Sequence, residues 1–319
     1  MAMKKILVLV DGSGRSRRTV DYIRDFMPRD RDLQIVLFHV LPGLPEPFRD
    51  ADQTPDCPEA SGRLKEWATS REKNIRDSMK EMKARLTAAG FADARIDIQC
   101  RPVEEGVARD IIREAKTGYD AVVMSRRGTA TALQSIILGS VAVKLLQCIS
   151  FTPTIFVGPA PPVKKVLLAV DASESSAKAV DFVASLLGEH GGDYEICIFN
   201  AVLGLGAISF EFPDVDPLAV SPACPPETDV AAFQLKVAQM VREIKTRLLA
   251  AGFAPEKVSE KIVSGVHSRS DAIVQEAENG GYGTIVVGRR GLSKVEAFFM
   301  GRVGHKVIYG GKEFTVWVV

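Results

Sequence analysis

The chain has 319 residues, which is long for one typical domain and comfortable for two. Hydrophobic residues make up 46% of it and charged residues 25%, so each half can bury a core. The formal net charge of +1 argues against a broad field for nucleic acid or a membrane, and we expect neither as a partner.

The apolar start of the chain, MAMKKILVLVDG, stops at Asp11 and is too short for a signal-peptide core or a membrane span. The five cysteines include no C-x-x-C pair, which predicts neither a disulfide framework nor a zinc site. The four histidines form no metal-spaced pair. These features together predict a cytoplasmic protein with no metal site.

In the first half, apolar runs alternate with polar amphipathic stretches, which predicts strands alternating with helices. The predicted strands are residues 6–10, 34–40, 95–100, 121–124 and 152–158. The first helix follows Asp11, with Ser13 or Ser16 as its N-cap. His39, near the end of the second strand, either faces a cleft or makes a structural hydrogen bond. The remaining helices are predicted at about 61–89, where Trp67 faces the core, 105–116 and 140–147.

The second half repeats the first. KKILVLVDG at 4–12 matches KKVLLAVDA at 164–172, and YDAVVMSRRG at 119–128 matches YGTIVVGRRG at 282–291. Equivalent residues are 160 positions apart at the start of the repeat and 163 apart near its end, so the two copies drift by only three residues. The sequence therefore predicts two domains, residues 1–158 and 163–319, joined by a short linker rich in Pro and Gly.

Alternating strands and helices of this length predict, in each copy, an α/β fold with an open five-stranded parallel sheet flanked by helices. Ligands bind such sheets beyond the carboxyl ends of the strands. The Pro-rich, acidic segments 41–60 and 203–227 follow the second strand of each copy. They are either disordered loops or lids over that edge of the sheet.

Three glycines follow the fourth strand of the second copy, at Gly288, Gly291 and Gly301. Backbone amides in a glycine loop can approach an anion closely, and the N-terminus of the next helix adds partial positive charge. The alternative is structural: a strand end, a turn and a position of close packing. The spacing alone leaves both interpretations open.

The spacing G-x2-G-x9-G in this segment resembles the nucleotide signature of the universal stress protein family, in which Ser or Thr follows the last glycine. Other stretches are similar to the family as well: Val-Asp ending the first strand at 10–11 and 170–171, and FHV at 38–40 and FNA at 199–201 ending the second. The resemblance covers nearly the whole chain twice. It implies a tandem universal stress protein with an adenine-nucleotide alpha hydrolase-like fold.

The resemblance also implies a ligand, ATP or the related AMP or ADP, with Mg²⁺ as an accompanying ion. In the family, the strand-one aspartate and the apolar residue ending strand two hold adenosine, while the glycine loop and the next residues hold the phosphates. The corresponding residues in the second copy are Asp171, Ala201, Gly288, Gly291, Gly301, Arg302 and Val303. In the first copy they are Asp11, Val40, Gly128, Gly139, Ser140 and Val141.

Neither copy keeps the signature intact. In the second, Arg302 stands where the family has a small hydroxyl residue, and it can either reach a phosphate or block the cleft. In the first, Ser125 replaces the leading glycine, and ten residues instead of nine separate Gly128 from Gly139. An extra residue would rotate a helix by about 100° but would only bulge a loop. We therefore predict the nucleotide site chiefly in the second copy.

Three functions fit these features. The first is a cytoplasmic stress-response module that binds an adenine nucleotide, the second a nucleotide-free protein-interaction scaffold, and the third a weak ATP hydrolase. We predict no catalytic residues, because no base, nucleophile or metal cluster accompanies Asp11 and Asp171, whose structural alternative is to cap the next helix. The resemblance further implies that the two halves pair through their closing strands, and it leaves a homodimer open.

Overall fold

The computed structural model describes residues 4–29, 33–41, 43, 58–126, 138–204, 227–290 and 301–319, with the backbone alone for the helical residues 58–65 and 227–233. By contacts within the chain, the protein divides into two compact units, Met1–Val157 and Gly158–Val319. The predicted site residues Gly128 and Gly291, and most of the two Pro-rich segments, lie outside the described residues.

Strands and helices alternate along unit 1. Its described strands are β1 (Lys4–Leu9), β2 (Leu33–Leu41), β3 (Ile96–Pro102), β4 (Ala121–Ser125) and β5 (Thr154–Val157). Its described helices are α1 (Gly14–Phe26), α2 (Pro58–Ala88), α3 (Val107–Ala115) and α4 (Ser140–Cys148).

Unit 2 repeats this order. Its described strands are β6 (Lys165–Ala169), β7 (Glu195–Leu203), β8 (Val258–Val266), β9 (Thr284–Val287) and β10 (Thr315–Val318). Its described helices are α5 (Glu174–Leu187), α6 (Glu227–Ala250), α7 (Arg269–Gly280) and α8 (Arg302–Gly310).

The strand order is the same in both units. It is β3-β2-β1-β4-β5 in unit 1 and β8-β7-β6-β9-β10 in unit 2, and neighbouring strands within each unit run parallel. The first strand of each unit therefore lies in the middle of the strand order. The second and third strands lie on one side of it, and the fourth and fifth on the other. This arrangement confirms the predicted fold, a parallel sheet with helices packed on it.

Helices on both faces explain why the central strands are apolar throughout. Ile6, Leu7 and Val8 follow one another on β1, and all three are 0% exposed. α1 packs on α2, and α3 packs on α4. Right-handed crossovers place the first pair of helices on one face of the sheet and the second pair on the other face. The apolar core consequently lies on both sides of the sheet, and polar groups concentrate where the strands end.

Candidate functional site

A cavity of about 230 Å³ opens at the carboxyl ends of the strands of unit 1. Its described walls come from the ends of β1, β2 and β4, from α2 and α3, and from the first turn of α4. Residues predicted for the first copy that line this cavity are Asp11, Val40, Gly139, Ser140 and Val141. Ser125, which replaces the leading glycine of the signature, lines it as well.

The cavity differs in character from one side to the other. Near β2 its walls are largely apolar and include Val107 and Ile111 of α3. On the other side it meets the start of α4, where Gly139 is the N-cap and no side chain caps the helix. The amide groups of a first helical turn attract anions. β2 and β4 flank β1 on opposite sides, so these two strands lie about 10 Å apart, or two strand spacings.

Asp11 anchors the start of α1 at the floor of the cavity. Its Oδ1 accepts hydrogen bonds from the Ser13 amide at 3.0 Å and from the hydroxyls of Ser13 and Ser16. The N-cap itself is Ser13, whose side chain accepts from the amides of Arg15 and Ser16. The alternative in which Asp11 caps α1 is therefore wrong. Ser13 caps the helix, and Asp11 accepts hydrogen bonds from Ser13 and Ser16.

Unit 2 uses the same arrangement. The Asp171 Oδ1 accepts from the Ser173 amide at 3.0 Å and from the Ser176 hydroxyl at 2.7 Å. Ser173 is the N-cap of α5 and accepts from the Ser176 amide. Such local side-chain to backbone bonds set the turn that carries the chain from the first strand into the first helix.

His39 is a buried polar residue of the cavity wall. It is 8% exposed, and its Nδ1 lies 2.6 Å from the carbonyl oxygen of Val10. A carbonyl can only accept, so Nδ1 carries the proton and Nε2 is an acceptor in the neutral ring. Burial lowers the pKa of His39 from its ordinary value, and the positive charge of Arg71 also lowers it, against weaker opposing effects of the Val10 carbonyl and Asp11. Nε2 is buried and has no hydrogen-bond partner among the described residues.

Arg71 adds a positive charge to the cavity wall. It comes from α2, is exposed, and places its guanidinium over the Trp67 ring at 5.2 Å from the ring centroid. Trp67 is 49% exposed, so the prediction that it faces the core is wrong. Nothing in the periodicity of the long polar helix distinguishes Arg71, and sequence analysis missed it for that reason.

In unit 2, the glycine-rich segment after β9 is held by internal hydrogen bonds. The Arg289 amide donates to the carbonyl of Val319 at 2.6 Å, and the Gly301 amide donates to the carbonyl of Arg289 at 2.7 Å. The Arg290 amide donates to the Ser175 hydroxyl at 3.3 Å. Each of these described amides donates to an acceptor within the protein, so none of them is available to bind an anion.

Gly288 lies in a position of close packing. A Cβ there would stand 2.9 Å from the Ser175 carbonyl carbon and 2.9 Å from the Ser175 Cβ, closer than real Cβ atoms approach. In unit 1 the equivalent residue is Ser125, which has a Cβ. The contact supports the structural interpretation of this glycine.

The extra residue of the first copy lies in the loop and not in the helix. The Gly139 amide donates to the Arg126 carbonyl at 2.9 Å, just as that of Gly301 donates to Arg289. α4 and α8 are both nine residues long and start directly after these glycines. Arg126 and Gly139 are one residue further apart than Arg289 and Gly301, so the surplus residue falls between them and α4 keeps its orientation.

The other residues predicted for the second copy lie at equivalent strand ends of unit 2. Asp171 follows β6, and Arg302 and Val303 open α8 after the N-cap Gly301. Ala201 is a buried residue of β7, and its carbonyl accepts from the Arg269 Nε at 3.3 Å.

Among the described residues, no group of three or more His, Cys, Asp or Glu side chains is placed to hold a metal ion. A search of the same residues finds no helix with the length and hydropathy needed to cross a membrane.

Comparison with known proteins places this geometry in a family. The model of the universal stress protein family matches residues 3–151 and 162–319. A universal stress protein from Archaeoglobus fulgidus DSM 4304 is similar at 19% identity, over 100% of this chain and 98% of that chain, with a TM-score of 0.58. A functionally unknown protein from Pseudomonas aeruginosa PAO1 is similar at 16% identity, over 100% of this chain and 92% of that chain, with a TM-score of 0.53. A search of curated proteins gives no significant match.

We expect Gly288→Ala to destabilise unit 2 by about 1–3 kcal/mol, because the new methyl group meets the backbone of α5. Calorimetry should show one unfolding transition lowered by several degrees. The matched control is Ser125→Ala, which keeps a Cβ at the equivalent position and should lower a transition less than Gly288→Ala does. Equal melting of the Gly288→Ala variant and the wild type would contradict the close packing.

We expect His39 to make unit 1 sensitive to acid. The pKa of His39 is lowered in the folded protein. As the pH falls below 6.5, His39 therefore binds a proton in the unfolded chain while its imidazole stays neutral in the folded one. Stability is then lost as the pH falls below this value, by at most about 1.4 kcal/mol per pH unit. Urea unfolding from neutral pH to about pH 5 should show the wild type weakening relative to His39→Asn. A difference that stays constant over this range would disprove the shift.

Proposed function

This chain is a tandem member of the universal stress protein family, and on that premise we propose that it is a cytoplasmic stress-response module that binds an adenine nucleotide. The observation that carries the proposal is the cavity of unit 1. Asp11, Val40 and Gly139 are far apart in the sequence, and all three line it together with Ser140 and Val141. These are the positions at which the family signature falls in the first copy.

The two sides of the cavity suit the two ends of a nucleotide. The apolar wall near β2 accommodates a base, and the open first turn of α4 attracts phosphate. Between them, the Asp11 carboxylate offers acceptor oxygens to ribose hydroxyls.

The size of the cavity indicates how much of the ligand it encloses. A volume of about 230 Å³ is below the roughly 300–1,000 Å³ of sites that enclose a drug-sized ligand. We therefore propose that the cavity holds the nucleoside and the first phosphate, which AMP, ADP and ATP share. Mg²⁺ would then accompany the outer phosphates of ADP or ATP, as it does in sites where it keeps several waters.

The sequence signature favours the second copy, whereas the described geometry supports unit 1 as the site. In unit 2 the amides of Arg289 and Arg290 donate to acceptors within the protein, and the Gly301 amide donates as its counterpart Gly139 does in unit 1. This observation favours a second candidate role for unit 2, that of a nucleotide-free scaffold. Pairing of the halves through their closing strands, a homodimer and slow ATP hydrolysis stay predictions that rest on the family resemblance.

We expect Ser140→Asp to weaken binding of AMP and ATP by about tenfold or more, because a carboxylate at the first position of α4 repels phosphate. An acidic residue in a first helical turn favours the helix, so the fold should persist. Isothermal titration calorimetry measures the affinity. Adenosine, which has no phosphate, should bind the variant and the wild type alike.

The matched control is Arg302→Asp, which places the same carboxylate at the equivalent position of α8. It should leave affinity unchanged if unit 1 holds the nucleotide. Loss of binding in Arg302→Asp but not in Ser140→Asp would move the site to unit 2. A wild-type protein that binds none of AMP, ADP and ATP would overturn the proposal.

A further inference from the structure

The helices α3 and α7 begin at equivalent points of the two copies, each directly after its N-cap residue. The first residue of α3 is Val107, and the first residue of α7 is Arg269. The match continues along the two helices, because the buried Ile111 and Ile273 are 162 positions apart, as Val107 and Arg269 are. Unit 2 therefore has a long cationic side chain where unit 1 has a short apolar one.

In unit 1 this position is part of the cavity wall. Val107 lines the cavity on the side of α3, and Val40 lines it at the end of β2. Both side chains are short, and the cavity is open between the helix and the strand end. This is the part of the cavity that accommodates the base in the proposed site, where an apolar wall suits an uncharged group.

In unit 2 the Arg269 side chain spans the corresponding space. Its Nε donates a hydrogen bond to the carbonyl oxygen of Ala201 at 3.3 Å, and Ala201 is the counterpart of Val40 near the end of β7. The side chain thereby runs from the first turn of α7 to the strand end, and it takes up volume that is open in unit 1. A base could enter only after this charge-assisted bond breaks, and such bonds are stronger than those between neutral groups.

The start of the last helix differs less between the units. α4 and α8 are both nine residues long and have no side-chain cap, and the amides of Gly139 and Gly301 donate to equivalent carbonyls. The residue that opens the helix is Ser140 in unit 1 and Arg302 in unit 2, and a cation at this place attracts phosphate. The contrast that bears on the nucleoside is therefore the one at Arg269.

We propose that Arg269 closes the crevice of unit 2 to the nucleoside, so that the chain binds one adenine nucleotide although it carries two copies of the domain. The inference rests on the proposed nucleotide site of unit 1 and adds to it the residue that restricts binding to that unit. A valine at this position, as in unit 1, would leave the crevice of unit 2 open.

The test counts the AMP molecules bound per full chain by equilibrium dialysis at saturating AMP. The wild type should bind one, and Arg269→Val should bind two, because valine restores the wall that unit 1 has. Arg269→Lys is the matched control, since it keeps a long cation there, and it should bind one. If the wild type binds two, or if folded Arg269→Val still binds one, the inference is overturned while the proposed function stands. If the wild type binds none, the proposed function fails and the inference falls with it.

The reciprocal variant brings the same side chain into unit 1. Val107→Arg should weaken AMP binding by about tenfold or more, whereas Val107→Leu, which stays apolar, should keep it within about threefold. Thermal unfolding checks that each variant is folded. The chain with both Val107→Arg and Arg269→Val should again bind one AMP, and Ser140→Asp should no longer weaken that binding, because the site has moved to unit 2. If a folded Val107→Arg chain binds AMP as the wild type does, an arginine at this position does not exclude the nucleotide and the inference is wrong.

Discussion

The constraint on which the site depends is the parallel alignment of β1 with a neighbour on each side. Ile6 pairs with Ile35 of β2 and with Ala121 of β4, so the three strands run in the same direction and end at one edge. The chain leaves β1 toward one side of the sheet and returns to β4 on the other. A crevice is expected where these connections part, and the cavity of unit 1 lies at this edge.

The hydrogen bonds of Asp11 fix the position of a carboxylate in this crevice. Ser13 caps α1, and Asp11 accepts hydrogen bonds from the Ser13 amide and the Ser16 hydroxyl. These bonds fix the Asp11 carboxylate in the wall of the cavity. Unit 2 keeps the same bonds at Asp171, so this turn belongs to the common fold and does not depend on what either unit binds.

The two copies have diverged at the fourth strand. Gly288 packs against the start of α5 in unit 2, and the amides after it donate to Ser175 and Val319. In unit 1, Ser125 stands in its place and lines an open cavity. In the copy with the better glycine spacing, the described amides after the fourth strand donate to acceptors within the protein. A glycine of such a signature can let its backbone approach an anion or can allow close packing. Only the neighbouring atoms distinguish these two roles.

Several residues of the candidate site were predictable from the sequence, because they sit at strand ends or at the helix start that a repeated βα pattern defines. Asp11 follows an apolar run, Val40 ends another, and Gly139 precedes a short helix. Arg71 was not predictable, since it reaches the cavity from a long polar helix on which nothing sets it apart. The cap of α1 was predicted as Ser13 or Ser16, and it is Ser13, whose side chain accepts from the amides of Arg15 and Ser16.

The sequence by itself determined the duplication, the parallel α/β fold and the edge at which a ligand would bind, because hydrophobic periodicity and repeat spacing are local properties of the chain. Only the tertiary structure decided which amides donate within the protein, where the surplus residue of the first copy falls, and that His39 bonds to the carbonyl of Val10. These features depend on atoms from strands and helices far apart in the sequence, brought to within hydrogen-bond distance by the packing of the sheet.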